Sequence, residues 1–482
     1  MLEKRTESDG PARRMAPLLG PCLSIVLASL GISIAAVTLP DLSRDFVGTG
    51  VDTNLVITIY ILATTALLVP AGRAGDLFGK RTVLVGGLTV YGLGSVLALF
   101  SESLSMLIAA RFIMGAGAAA MMAMPLAQVR DVVAPAHTGR WMGVMGTMSA
   151  IGTASGPALG GAITASLGWR GVFLVQIPLA VIAIGLCLLF LSNGHKAVTR
   201  PRFDLAGAIA MAVSLAALTF LISDLAAGFG GTDVLWLPLA VAAFAAFLII
   251  EARAEAPIVA LSAFRSRPLS LGLGMNAIIS LVMMGVLVTG PFFLTGGLGL
   301  TTAQMGLAMS VGPISAALSG VPAGRLVEWV GPGRAVVVGS IMVSAGAAGL
   351  AGLPYVLGLV GFVLAFVILA PGYQLFLAAV NTLVMATAND QDRGVISGLL
   401  NLGRSFGFIV GASVMSTLFW WLVRINGDAA PVGQDIRFAM VGTFAFAAAL
   451  TAGVAGLALA LPAPRSTDQR QNETIGGGES AR

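Results

Sequence analysis

From Leu18 almost to the C-terminus, apolar runs of about 20 residues alternate with short breaks rich in charge, proline or glycine. A helix of that length crosses a hydrocarbon core of roughly 30 Å. The pattern predicts about 14 transmembrane helices. Six fall near 18–39, 54–72, 82–100, 104–126, 141–166 and 170–191. A pair follows near 204–223 and 234–251, and six more near 270–296, 304–326, 335–353, 356–386, 395–423 and 437–461. The expected organisation is a cytoplasmic tail (1–17), a six-helix bundle (18–191), a linker with two extra spans (192–269), a second six-helix bundle (270–461) and a disordered cytoplasmic tail (462–482). The polar start precedes a run too long for a signal peptide and lacks a small-residue cleavage site, so the first run reads as a retained signal anchor.

Composition agrees with this all-α polytopic reading. Of 482 residues 57% are hydrophobic and 10% charged, against roughly 25% charged in a soluble chain. The net charge of +5 does not imply a nucleic-acid partner, because the cations sit beside the ends of apolar runs. Arg44, Arg170, Arg424 and Arg437 fall on one side, Arg111 and Arg404 inside spans, and the remaining 21 of 27 Lys and Arg on the other side. The positive-inside rule then places both termini in the cytoplasm. Cys22 and Cys187 lie within spans and read as small apolar residues, with neither a disulfide nor a metal site indicated.

Val69-Pro70-Ala71-Gly72-Arg73 recurs as Val321-Pro322-Ala323-Gly324-Arg325. A five-residue match is unsurprising in a chain this rich in Ala, Gly, Leu and Val. Its weight comes from the continuation: an acid three residues after each Arg (Asp76, Glu328) and a glycine three later (Gly79, Gly331). Both copies end the second helix of a six-helix set, which implies duplication and the architecture of rocking halves. The copies are unequal, one ending Gly79-Lys80-Arg81 and the other Gly331-Pro332-Gly333.

The first loop, Gly72-Arg73-Ala74-Gly75-Asp76-Leu77-Phe78-Gly79-Lys80-Arg81, resembles the signature of the major facilitator superfamily between its second and third helices, and the helix count resembles the 14-helix drug:proton antiporter branch. The resemblance runs from about Leu18 to Leu461. It implies a cytoplasmic gate of Gly72, Arg73, Gly75, Asp76, Gly79, Lys80 and Arg81, with Gly324, Arg325 and Glu328 in the second copy. Glycines permit the tight turn, and the charges can form ion pairs in one access state and break them in the other.

The fifth predicted helix carries Gly152-Thr153-Ala154-Ser155-Gly156-Pro157-Ala158-Leu159-Gly160-Gly161, similar to the signature of exporters. Glycines four apart allow close helix approach, and Pro157 bends the helix. Arg111, in Arg111-Phe112-Ile113-Met114-Gly115-Ala116-Gly117, resembles the family's arginine motif, with Met114 where a Gln is common. Arg404 stands mid-span in Asn401-Leu402-Gly403-Arg404-Ser405-Phe406-Gly407. Embedded arginines are expected to face a wet cavity or a gate.

The pattern breaks in the first helix, Leu30 to Pro40, where the branch would carry an acid at Gly31 and an Asn at Ala36. Every one of the 22 acids falls in a tail, a loop or at a helix end, and both histidines, His137 and His195, fall in loops. Three readings of coupling stay open: acids at helix ends such as Asp41, Asp76 or Asp224, a substrate that itself carries the charge, or loss of tight coupling. With Arg111 and Arg404 as the embedded charges, neutral, amphipathic or anionic substrates are favoured over dications.

By analogy with the family, the first and fourth helices of each set line the central cavity. That places Ser33, Thr38, Met121, Met124, Asn276, Tyr373, Gln374 and Asn381 there, in soft walls suited to loosely specified hydrophobic ligands. The resulting expectation is a monomeric inner-membrane efflux transporter for small hydrophobic substrates, exchanging them for protons across the lipid bilayer by alternating access. A solute importer or symporter of the same fold is the alternative. No HExxH, no GxxxxGK[ST] and no nucleophile with a nearby base occurs, so neither an enzyme nor a cofactor is expected.

Overall fold

The computed structural model describes residues 11–46, 50–132, 138–191, 205–227, 233–254, 266–385, 393–426 and 433–459. The tail at 462–482, the loop histidines His137 and His195 and the side chain of Asp224 lie outside the described residues.

Apolar residues on every face and few breaks leave the chain one way to satisfy its backbone in a bilayer, which is helix after helix. These are α1 (Pro11–Ala36), α2 (Leu39–Asp45), α3 (Gly50–Phe78), α4 (Lys80–Leu99), α5 (Leu104–Val132), α6 (Thr138–Phe190), α7 (Leu205–Ala227), α8 (Asp233–Arg253), α9 (Arg267–Phe292), α10 (Thr302–Val330), α11 (Pro332–Leu357), α12 (Leu359–Met385), α13 (Arg393–Asn426) and α14 (Gly433–Leu459). α1 starts earlier than the hydropathy pattern placed it, inside the expected N-terminal tail. A single π-helical turn, Phe293–Gly297, follows α9.

Among the described residues, twelve helices are long and apolar enough to cross a membrane. One of them, the 47-residue stretch within α6, is about twice too long for one crossing at 1.5 Å per residue. It turns back at Gly168, whose φ of 70° and ψ of 177° interrupt the helical path. α6 therefore holds the fifth and sixth predicted spans, separated where the sequence placed the break. α7, with a shorter apolar centre at Ile209–Leu218, completes the two intervening helices with α8.

The two six-helix sets pack alike. In the first, α1 lies on α6, α3 on α5, α4 on α5 and α4 on α6. In the second, the same partners recur as α9 on α13, α10 on α12, α11 on α12 and α11 on α14. Across the sets, second helix meets fifth helix twice, as α3 with α13 and α10 with α6. α7 packs on both α3 and α13, with α8 against α7.

Both cross-set pairs make close contacts near the α2 end. Near the α2 end, Gly161 of α6 and Gly306 of α10 touch so closely that a Cβ on either would meet the other's Cα within 2.8 Å. Asn54 of α3 there donates to the Ser416 hydroxyl of α13. Some fifteen residues further along the same helices, Gly146, Gly320 and Gly324 face open space, as do Gly72 and Gly398. The two sets thus meet closely at the α2 end, while these glycines at the end bearing the duplicated loops face open space.

Candidate functional site

The first loop signature has almost no loop. α3 runs to Phe78, and Gly79 alone, at φ 94°, turns the chain into α4. The second copy does the same with Gly331 at φ 85° between α10 and α11. An L side chain is strained in this left-handed region, which explains the glycine at both places. Even the hydrogen bonds match: the Gly79 N–H donates to the Gly75 carbonyl and the Gly331 N–H to the Val327 carbonyl, each at 3.0 Å.

The side chains of the two copies differ. Gly75 is buried against Met124 of α5, where a Cβ would come within 2.5 Å of the sulfur. Lys80 donates to the Ala127 carbonyl at 3.1 Å and Arg81 to the Leu188 carbonyl at 2.7 Å, tying α4 to α5 and α6. Asp76 and Arg73 are half-buried at the open end. Among the described side chains Asp76 has no ion pair. In the second copy Arg325 and Glu328 are both exposed, next to Trp329 at 85% exposure. The structure therefore brings Lys80 and Arg81 into packing contacts of their own set and leaves Asp76, Arg325 and Glu328 separate.

Arg111 is the largest fully buried side chain of the protein. Its Nε donates to the Val56 carbonyl and its Nη2 to the Gly31 carbonyl, both at 2.9 Å, and its guanidinium carbon lies 4.2 Å from the centre of the Tyr60 ring. Nη1 is buried without a partner among the described residues. Carbonyl oxygens and a ring face stand where a counter-ion would be expected, so the charge is stabilised by dipoles.

The space beside Gly31 is already occupied. A Cβ there would lie 2.7 Å from the Tyr91 hydroxyl and 2.9 Å from the Tyr60 hydroxyl. Tyr60 donates to the Ala28 carbonyl at 2.8 Å, while Tyr91 donates to the Leu27 carbonyl at 3.3 Å and pairs with Gln176 Oε1. Two tyrosine hydroxyls thus occupy the volume that an acid would need, and Gln176 accepts a hydrogen bond from Tyr91. Sequence reasoning missed this trio. Its signal was rarity, since the chain has only 4 tyrosines and three of them are buried in spans.

The glycine series of α6 has a defined target. Cβ atoms at Gly152, Gly156 and Gly160 would meet Val26, Ser33 and Ile34 of α1, whereas Gly161 faces α10. Pro157 lies between these contacts, its carbonyl oxygen 2.5 Å from a Cβ built on Gly306. The corresponding helix of the second set repeats the device: Gly407 and Gly411 press on Ala277 and Leu281 of α9. That second series was legible as glycines four apart at 403, 407 and 411, and was overlooked because no loop motif adjoins it.

The cavity residues separate into two groups. Ser33 and Thr38 are buried and hydrogen-bonded to carbonyls of their own helix, Met121 is buried, and Met124 packs on Gly75. In the second set, Asn276, Asn381 and Arg404 come together with Asn401 around a cavity of about 130 Å³ in the open half of the molecule. Asn276 Nδ2 donates to the Leu400 carbonyl at 2.9 Å. Arg404 is half-buried, makes no hydrogen bond or ion pair among the described residues, and is close enough for its charge to act on Tyr373, whose hydroxyl is buried without a well-formed hydrogen bond. Gln374 is half-buried on the same helix as Tyr373.

At the closed end, Asp41 of α2 receives a hydrogen bond from Arg44 at 2.9 Å and lies beside Thr302, the first residue of α10. Burial pushes the Asp41 carboxyl above its ordinary value, Arg44 partly offsets this, and Asp45 adds to it.

Residues 22–412 match the sequence model of the Major Facilitator Superfamily. The chain is 28% identical over 419 residues to the uncharacterized transporter YebQ of Escherichia coli K12, which covers 86% of this chain and 91% of that protein. It is 27% identical over 435 residues to the tetracenomycin C resistance and export protein of Streptomyces glaucescens, covering 88% of this chain and 79% of the relative. Among solved structures, a bacterial homologue of the human lysosomal transporter Spinster, in an inward-facing and unoccupied conformation, matches with a TM-score of 0.67 at 16% identity. That match covers 95% of this chain and 100% of the other, and it shows the fold.

Proposed function

Since the chain belongs to the major facilitator superfamily and is a multi-pass membrane transporter, we propose that it is a secondary active exporter of hydrophobic or amphipathic small molecules, driven by the proton gradient across a bacterial inner membrane. The observation that carries this reading is the exporter-like segment of α6. Its glycines at 152, 156 and 160 seat α6 on α1, and Gly161, on an adjoining face, meets α10 of the other set. A helix shared in this way between its own set and the opposite one can transmit rocking of the halves to the closed end.

With both termini in the cytoplasm, as the distribution of Lys and Arg implies, the open end bearing Asp76 faces inward and the α2 end is the shut outer gate. The molecule is then poised to take substrate from the cell or from the inner half of the bilayer. A half-buried Arg404 amid three asparagines supports neutral or anionic amphiphiles over dications, since a fixed cation repels a second one.

The test is efflux of a substrate panel from cells lacking other exporters, with and without a protonophore. Export of neutral or acidic amphiphiles that stops with the protonophore is the expected result. Strong efflux of quaternary ammonium dyes sinks the charge preference. Net accumulation into right-side-out vesicles favours the importer alternative.

A further inference from the structure

The Arg404 pocket is too small for a drug-sized molecule and too polar to be a packing defect. Its volume of about 130 Å³ equals roughly four waters at about 30 Å³ each, whereas sites that hold a whole drug-sized ligand measure roughly 300–1,000 Å³. Asn276 of α9, Asn381 of α12 and Asn401 and Arg404 of α13 line it, with Leu377 and Met385 of α12 among its apolar walls. Among the described residues, Arg404 is the one charge in that lining and no acid reaches it.

These polar groups differ in what they have left to offer. Asn276 is buried and committed: its Nδ2 donates to the Leu400 carbonyl at 2.9 Å, and its Oδ1 accepts from the Ser280 hydroxyl at 3.4 Å. That fixes the α9 wall against α13. Asn381 and Arg404, from two different helices, have no hydrogen-bond or ion-pair partner among the described residues. Arg404 stands six residues, about 9 Å, inside the apolar stretch Gly398–Ile425 of α13. Its charge acts on the Tyr373 hydroxyl, which is buried without a well-formed hydrogen bond. Tyr373, Leu377 and Asn381 stand four residues apart on one face of α12, with Tyr373 the furthest from the helix end at Met385. The guanidinium therefore faces the interior of the second set. A cation at that depth is costly unless it is neutralised or hydrated, and the lining supplies no acid to neutralise it.

We propose that this pocket binds the carboxylate head group of an amphiphilic monoanion whose apolar body stays outside it, and that such carboxylates are the substrate class of the transporter. The planar guanidinium fork of Arg404 matches the two oxygens of a carboxylate, and the Asn381 amide supplies a further N–H from α12. One cation and one monoanion leave the loaded site neutral. A phosphate dianion leaves an uncompensated negative charge inside the apolar stretch, with no second cation in the lining to receive it. The inference deepens the export reading and rests on it for the direction of transport. The pocket and its uncommitted donors do not depend on that direction.

The experiment measures equilibrium binding of two probes with one carbon frame, 2-naphthoate and its neutral amide 2-naphthamide, to the full chain in nanodiscs, with empty discs as the blank. Wild type is expected to bind naphthoate saturably and about tenfold more tightly than the amide. Arg404→Gln, which breaks no hydrogen bond among the described residues, should erase that ratio. Asn381→Asp, which offers Arg404 an internal carboxylate, should weaken naphthoate about tenfold while sparing the amide. Thermal unfolding identifies which variants are folded, and either one alone carries the test. Equal affinities in the wild type, or a ratio that survives in either folded variant, overturn the carboxylate site. So does stronger competition by inorganic phosphate, or by the soluble phosphodiester glycerophosphoglycerol, than by acetate, because the pocket then serves free phosphate or a lipid headgroup. The expected binding pattern in a chain that exports no naphthoate from loaded cells keeps the pocket and overturns the export reading. Export of neutral amphiphiles by a chain without the binding preference removes the carboxylate site and leaves export intact.

Discussion

The guanidinium of Arg111 donates to the carbonyl of Gly31 at 2.9 Å, so the buried cation of α5 is bonded to the residue whose place in the family pattern belongs to an acid. Charge and missing acid are one feature. Tyr60 and Tyr91 occupy the side-chain volume, and backbone dipoles take over the role of a counter-ion.

This relationship predicts that Gly31→Asp destabilises the protein and does not restore an acid-based coupling site. The new side chain must displace two buried hydroxyls, and overpacking of this kind costs about 1–3 kcal/mol. Thermal unfolding of the purified variant should show the loss, and adding Tyr91→Phe, which removes the nearer hydroxyl at 2.7 Å, should recover part of it. Wild-type stability in the single variant contradicts the packing account.

The glycines of α6 divide into tight and open positions. Gly156→Ala drives a Cβ into Ser33 and the Ile34 backbone of α1, and is expected to lower stability by about 1–3 kcal/mol. Gly146→Ala, which faces open space on the same helix, should stay within about 0.5 kcal/mol of wild type. Equal effects from the two would mean that the α1–α6 contact is not what the series provides.

The two acids expected at the gate, Asp76 and Glu328, are not equivalent in their surroundings. Asp76 is half-buried in the last turn of α3, just before Lys80 and Arg81, which are held by carbonyls, and Glu328 is exposed near the end of α10, as is Arg325. Asp76→Asn should therefore reduce efflux about tenfold, equivalent to roughly 1.4 kcal/mol on the limiting step, while Glu328→Gln keeps most of it. Expression-matched efflux assays decide the matter. Unchanged transport in Asp76→Asn ends the gating role.

Asp41 supplies the pH dependence. Its carboxyl is raised in the folded state, chiefly by burial. A raised pKa means that its contribution to stability is fully present below the unfolded value of about 3.9 and is lost as pH rises through the folded value. Wild-type protein should lose thermal stability relative to Asp41→Asn as pH increases through the window just above about 4. Parallel profiles for the two proteins would show that the group is not perturbed at this gate.

Much of the fold was readable because the bilayer restricts the possibilities so strongly. Run length located the spans, and Gly79 and Gly331, both at positive φ, marked the duplication that the helix pairings then reproduced. The break at Gly168 was visible as the gap between two apolar runs. The candidate site was readable only in part. Arg111 and Arg404 were conspicuous as lone charges in apolar helices, but their fates were not: one is fully buried on carbonyls and a ring, the other half-buried in a polar pocket.

Local chemistry along the chain settled the number of helices, their handed duplication, the glycine turns and the absence of an acid at position 31. Those follow from hydrophobic length and backbone sterics, which act between neighbours in sequence. Tertiary structure alone decided that Tyr60 and Tyr91 converge on Gly31 with Gln176 accepting from Tyr91, that α6 and α10 touch at Gly161 and Gly306, and that α7 and α8 border a cavity with α9 and α13. These are matches of shape between helices far apart in the chain. In a medium as apolar as the side chains themselves, close packing and a few buried hydrogen bonds choose the partner, and neither can be read from a helix in isolation.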